Sequence, residues 1–241
     1  MAMANAISVS ELNQLIGTPT CPAIIDICIE EDFCSDPYLI PGSRRHPHTD
    51  VPGLIHALGD QAAVIVCQKG LKLSQGVAAW LRAEGLDARF LKGGMFDWRD
   101  AAGTARLPAT DIPKRIDGKT LWVARTGPSL KELFCLWLIR RFVDTQARIL
   151  FVEPDQIDLV SQKFGATPLP ATDRPFVELQ DKFHLRSQRL VIMSSRIPDT
   201  EMIWTGLSTL HIEDQNRLEA GLAICDALYA YTGQDQAGSG E

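Results

Sequence analysis

The sequence has no CxxC pair and no apolar run approaching the roughly 18–20 residues that cross a bilayer. It lacks a basic start leading into a long apolar core, and it lacks an excess of lysine and arginine: the formal net charge is −6. Each absence excludes something. Without paired cysteines a structural zinc knuckle has no ligand frame. Without a leader or a span, the expectation is a cytoplasmic chain with no membrane partner. The acidic balance argues against a general nucleic-acid binder. At 241 residues the chain can bury one large core or two ordinary ones, so no disulfide framework is needed.

What is present reads as two halves without an internal repeat. In the first, SVSELNQLI predicts a capped helix with Ser8 or Ser10 as the cap, and Ala23–Ile29 a strand. VPGLIHAL reads as a short helix. AAVIVC is a continuous apolar run of the kind buried in a parallel sheet. SQGVAAWLRAEG predicts a helix from Ser74 that closes near Gly85, and ARFLKGG a strand ending in a glycine turn. This strand–helix–strand order predicts an α/β domain over residues 1–105. Residues 101–119 have no regular period, and 106–118 read as a linker. TLWVAR then predicts a strand, SLKELFCLWLIRRFVD a helix, ARILFV a strand and DQIDLVSQKFG a helix ended by Gly165. Residues 171–200 are weakly periodic. Gln215–Tyr231 reads as a long helix closing a second, mostly helical α/β or α+β domain over 119–232, with 233–241 a flexible tail.

Six cysteines are scattered through the chain: Cys21, Cys28, Cys34, Cys67, Cys135 and Cys225. The first three read as buried small apolar residues, with a resolving or redox thiol among them left open. Cys67 differs, because it closes the apolar AAVIVC strand just before a helix. Ligands in open α/β sheets sit at that edge. Amides of the loop Gln68, Lys69, Gly70, Leu71, Lys72 and Leu73 can converge as an anion nest, and Lys69 and Lys72 add charge. These features favour a thiolate at Cys67. Gly70 permits the tight curvature, and Ser74 is a helix cap or loop brace. The alternative is an inert core cysteine.

Residues 8–100 resemble a rhodanese domain, through IIDIC at 24–28, LIPGS at 39–43, VIVCQKGLKLS at 64–74 and LKGGMFDW at 91–98. The resemblance implies that Cys67 takes sulfane sulfur from thiosulfate or a related donor as a persulfide, then passes it to cyanide or a thiol. It implies that the six positions Cys67–Lys72 hold the persulfide, that Asp26 stabilises the loop, that Gly93 and Gly94 form a turn and that Trp98 packs behind them. No cofactor is required. The sequence departs from the family pattern at Cys28 and Gln68, where arginines are usual, at Leu39, where histidine is common, and at Lys72. Lysine is a mobile point charge where arginine would offer a bidentate fork. Arg44 and Arg45 could restore positive potential or stand solvated on the surface; His46, His48 and His56 read as surface or turn residues, the first two at the site rim.

Residues 119–232 resemble the C-terminal domain of ChrB-type chromate-resistance proteins, through LWVARTGPSLKELFCLWLIRRFVDTQARILFV at 121–152, GATPL at 165–169 and EDQNRLEAGLAICDALYAY at 213–231. Where that family is often rich in histidine, VELQDKFHLRSQRLVI holds only His184. Cys135, Asp144, His184, His211, Glu213 and Asp214 are the visible ligand candidates, in no recognised metal spacing, so no metal is expected. Cys135 reads as a buried helix residue, and Arg140 and Arg141 as a helix-end pair or an anion site. The leading reading is a thiosulfate-type sulfurtransferase. The alternative is a low-turnover sensor of persulfide, redox state or an oxyanion; a phosphatase is a weaker third.

Overall fold

The computed structural model describes residues 5–234. The chain divides into two compact units, one closing at Thr110 and the other opening at Asp111, with Gly17–Pro19 grouped with the second.

The first unit contains β1 (Ala6–Ile7), α1 (Val9–Leu15), β2 (Ala23–Asp26), α2 (Glu30–Ser35), β3 (Tyr38–Leu39), β4 (Arg44–Arg45), α3 (Val51–Leu58), β5 (Ala63–Val66), α4 (Lys72–Ala83), β6 (Ala88–Leu91), α5 (Gly94–Asp100) and β7 (Leu107–Pro108). A five-stranded parallel sheet runs β1-β6-β5-β2-β4. Its centre is β5, whose four residues are all buried. A strand covered on both faces has no polar side to present, which is why this segment is uninterruptedly apolar. Val77, Ala78 and Leu81 of α4 pack with Leu54 and Leu58 of α3 against Ile25, Ile65 and Cys67. Burying such side chains contributes about 1.5–3 kcal/mol each before the entropy cost of ordering them.

Of the two cap candidates for α1 it is Ser8 that serves, and its hydroxyl and Glu11 form a reciprocal capping box. Several other local expectations are corrected. β2 stops at Asp26 rather than Ile29, because the Asp26 carboxylate accepts the Cys28 amide at 2.8 Å and turns the chain out of the sheet. α4 starts at Lys72, two residues before Ser74. The glycine turn after β6 leads at once into α5. The linker expected at 106–118 is structured: β7 pairs antiparallel with β3, and Arg115–Ile116 forms a further strand.

That further strand, β8, opens the second unit and folds back on β9 (Lys119–Arg125) through Asp117 and Gly118, both at positive φ. β9 also pairs in parallel with β10 (Arg148–Val152) and β11 (Thr167–Pro168). Between β9 and β10 lies α6 (Leu130–Leu138), capped by Ser129 and Glu132. The single long helix expected here ends in a π-helical turn, Ile139–Val143. Buried Asp144 fixes that exit by accepting the Thr120 amide at 2.6 Å and hydroxyl at 2.9 Å. α7 (Ile157–Phe164) ends at left-handed Gly165, as read from the sequence. The weakly periodic stretch holds α8 (Pro175–Lys182) and α9 (Gln188–Arg196), followed by α10 (Glu201–Leu210). The final helix, α11, runs Asp214–Gln234, so residues 233–234 of the expected tail are helical and 235–241 lie outside the described residues. The second unit is thus mostly helical with a small mixed sheet. No helix among the described residues is long and apolar enough to cross a membrane.

Candidate active site

Cys67 directly follows β5, and Gln68–Leu71 carry the chain into α4. The carbonyls of this loop are tied outward. The Cys67 and Gln68 carbonyls accept the Met95 and Phe96 amides of α5, each at 3.1 Å. The Gly70 carbonyl accepts the Gln75 side chain at 3.1 Å, and the Leu71 carbonyl accepts the Gln75 amide at 3.0 Å. No peptide bond here is cis. A trans peptide points its N–H opposite to its C=O. The amides of Gln68, Lys69, Leu71 and Lys72 therefore point away from those partners, and among the described residues no backbone acceptor takes them.

Two glycines make this bend sterically accessible. Gly70 has φ +65°, and a Cβ there would come within 2.5 Å of the Leu91 carbonyl and 2.7 Å of the Gly93 and Gly94 amides. Gly94 has φ +62°, and a Cβ on it would collide with the Cys67 carbonyl and the Gly70 amide. Backbone thus packs on backbone, which only glycine allows. Gly93, also left-handed, precedes α5, and Trp98 is fully buried in that helix with its indole N–H donating to the Ala105 carbonyl at 2.9 Å.

The Cys67 residue is 5% exposed. Its thiol donates to the Ser74 hydroxyl at 3.1 Å, and that hydroxyl donates to the Leu71 carbonyl at 3.3 Å. Ser74 is therefore not a helix cap: it sits inside the first turn of α4 and bridges thiol and loop. Lys69 and Lys72 are exposed, so water screens their charge. Leu71 is exposed, while Gln68 and Leu73 are half-buried. Asp26 is buried at 2% exposure; Oδ1 holds the Cys28 amide and Oδ2 is without a hydrogen-bond partner. Burial pushes its carboxyl above the usual carboxylate range, while the Cys28 amide and thiol and Arg45 pull the other way. Among the three early cysteines Cys28 is buried as expected, but Cys21 is half-buried and Cys34 is exposed on α2, a helix with no buried residue.

Beside Cys28 lies a cavity of about 490 Å³, bounded also by Glu30, Arg45, His46 and His48. Arg45 is not simply solvated: it pairs with Glu30 at 2.8 Å, donates to the Cys28 carbonyl at 3.1 Å and stacks over Phe33. His46 meets the Asp50 carbonyl at 2.7 Å, and His56 is exposed on α3. Two features escaped sequence reading. One is the α5 amide pair that grips the loop, whose signal was a double glycine ahead of an apolar helical stretch. The other is the turn closed by Asp26, whose signal was the D-x-C spacing.

In the second unit Cys135 has no exposure, and burial, then Glu132 and Glu178, push its thiol far up. Arg141 forms a bidentate pair with Asp226 at 2.9 and 2.7 Å, and Asp226 also accepts the Trp137 indole N–H at 2.8 Å. Arg140 lies 3.8 Å from Glu219. The pair is thus held by carboxylates of α11. Asp144 is engaged with Thr120, Asp214 with the Gly127 amide and Arg217, and His184 is exposed at φ +54°. The six ligand candidates do not converge: among the described residues no three His, Cys, Asp or Glu side chains are grouped to hold a metal ion.

The first unit is an α/β domain with a cysteine loop at the C-terminal edge of its parallel sheet. Residues 8–101 match the family model of the rhodanese-like domain, and residues 122–232 that of the ChrB C-terminal domain. The chain therefore carries an N-terminal rhodanese-like domain and a C-terminal ChrB-type domain. Among solved structures it is similar to a rhodanese-like domain protein from Staphylococcus aureus, at 26% identity, covering 42% of this chain and 95% of that one with a TM-score of 0.36. A rhodanese homolog from Thermus thermophilus is 30% identical over 37% of this chain and 95% of its own, with a TM-score of 0.31. A thiosulfate sulfurtransferase from Pseudomonas aeruginosa is 21% identical over 45% of this chain and 21% of its own, with a TM-score of 0.37. No curated protein matches.

Proposed function

We propose that the chain is a sulfurtransferase that carries sulfane sulfur on Cys67. The observation that supports this most is the backbone accounting at the loop, where four carbonyls are tied outward and the amides of Gln68, Lys69, Leu71 and Lys72 are left to a ligand. Such oriented amides stabilise an anion without reorganising. In the first step Cys67 Sγ attacks the outer sulfur of thiosulfate; the sulfur–sulfur bond of the donor breaks and sulfite leaves with the electron pair. In the second, cyanide or a thiol attacks the outer sulfur of the persulfide and restores Cys67. Gln68–Leu73 form the binding loop, Ser74 orients the thiol, and Asp26, Gly93, Gly94 and Trp98 hold the loop in place. No metal or organic cofactor takes part.

Thiosulfate and cyanide should yield thiocyanate with ping-pong kinetics, and Cys67→Ala should yield none. A Cys67→Ala protein as active as the parent would overturn the assignment. The low exposure of Cys67 favours a second reading, in which donor access limits turnover and the persulfide is a signal rather than an intermediate. One loading event per chain without sustained thiocyanate formation under excess cyanide would select it.

A further inference from the structure

We propose that the second unit carries a phosphate-binding cleft at the N-terminal edge of its small sheet, taking a phosphomonoester on a polar, sugar-like body. The cleft has a volume of about 410 Å³. Three cations bound it, Lys119, Arg140 and Arg148, and among the described residues no carboxylate does. The fold accounts for their meeting. Arg148 opens β10 opposite Leu121 of β9, so Lys119, at the start of β9, lies at the same end of the sheet. Arg140 comes from the π-helical turn between α6 and β10, which the Asp144 amide closes on the Ile139 carbonyl at 2.8 Å. Such turns occur frequently at functional sites.

These charges are incompletely matched from within the chain. Arg141 is held bidentate by Asp226, but its neighbour Arg140 reaches Glu219 at 3.8 Å, and Arg148 reaches Asp117 at 3.8 Å. Charge-assisted contacts to carboxylates close to about 2.7–2.9 Å, so both pairs are loose, and both carboxylates are exposed to water. Arg140 Nε is buried without a partner, while 21% of the side chain stays accessible. Like charges gathered in one cleft repel one another, and a bound dianion reverses the sign of that interaction. The guanidinium fork matches the oxygens of a phosphate. Thr145 and Gln146 add a hydroxyl and an amide to the walls, groups that pair with the hydroxyls of a polar body. Apolar side chains line the cleft only at Ala147 and Ile149, too little to seat an aromatic base. That selects a phosphorylated sugar over a nucleotide.

The test titrates full-length protein with ribose 5-phosphate in a calorimeter at low salt, with ribose, inorganic phosphate, sulfate and adenosine monophosphate as separate probes. The wild type should bind ribose 5-phosphate saturably with a Kd below about 1 mM, at least about fivefold tighter than phosphate or sulfate, and ribose should not bind. Arg140→Gln and Arg148→Gln should each weaken binding about tenfold, with thermal melts verifying that the variants are folded. Arg148 is exposed, so its variant carries the test should Arg140→Gln not fold. Lys131→Gln removes a like charge at the opposite end of α6 and should leave binding unchanged. No saturable binding by the wild type overturns the cleft, as does binding that the two arginine variants leave intact or that Lys131→Gln weakens equally. Sulfate binding as tightly as ribose 5-phosphate overturns the phosphomonoester assignment. Tighter binding of adenosine monophosphate overturns the sugar-like body.

Discussion

Cys67 and Cys135 are both buried cysteines in apolar surroundings, yet the polar groups around them differ completely. Cys135 sits mid-helix in α6, where every neighbouring amide is spent within the helix and the flanking residues Phe134 and Leu136 are fully buried. Cys67 sits where a strand has ended and a helix has not yet begun, so the loop amides have no backbone acceptor. Burial therefore does not separate the thiol we propose as nucleophile from the one we propose as core. What separates them is that the loop next to Cys67 carries amides without a backbone acceptor.

The comparison can be broken most directly by exchanging each sulfur for hydrogen. Cys67→Ala should reduce thiocyanate formation by at least about a thousandfold. Cys135→Ala should leave the rate within about twofold and cost about 1 kcal/mol of stability. Steady-state assays and urea melts read both, and equal loss of activity in the two variants would erase the distinction. Next in size is Asp226→Ala, which strips partners from Arg141 and Trp137 and should destabilise the second unit by about 3 kcal/mol. Sulfur transfer by the first unit should persist at temperatures where the variant is still folded. Gly94→Ala should cost about 2 kcal/mol and lower the rate about tenfold or more, because a Cβ there displaces the loop that presents the amides. A Gly94→Ala protein with unchanged kinetics would mean that loop geometry is not what activates Cys67.

The smallest effect concerns Asp26. Its carboxyl is held above the ordinary 3.8, chiefly by burial. The stability this lends is fully present below pH 3.8 and is lost as the pH rises through the raised value. Asp26→Asn cannot ionise, so thermal melts should show the wild type losing ground to the variant as the pH climbs from 3.8 toward neutrality. A constant difference across that range would contradict the assignment.

How much of this was legible in the sequence depended on how local each cause was. Helix α3 and the four-residue core of β5 follow directly from periodicity and apolar runs. The loop was legible as a loop, and Gly70 as its hinge. The outward tying of its carbonyls was not, because the partners Met95 and Phe96 come from a helix some twenty-eight residues away in sequence. Helices α8 and α9 were missed because each buries a narrow face: Phe176, Leu179 and Gln180 in one, Leu190 and Met193 in the other. The expected charge assistance from Lys69 and Lys72 weakened for a similar reason, since sequence spacing does not say which way a side chain leaves the backbone, and both leave toward water.

The most direct measurement is the sulfite released per chain when thiosulfate is added without an acceptor. One equivalent from the wild type, with none from Cys67→Ala, is the predicted result. No sulfite from folded wild-type protein, with Cys67 still a free thiol on denaturation, would contradict the account.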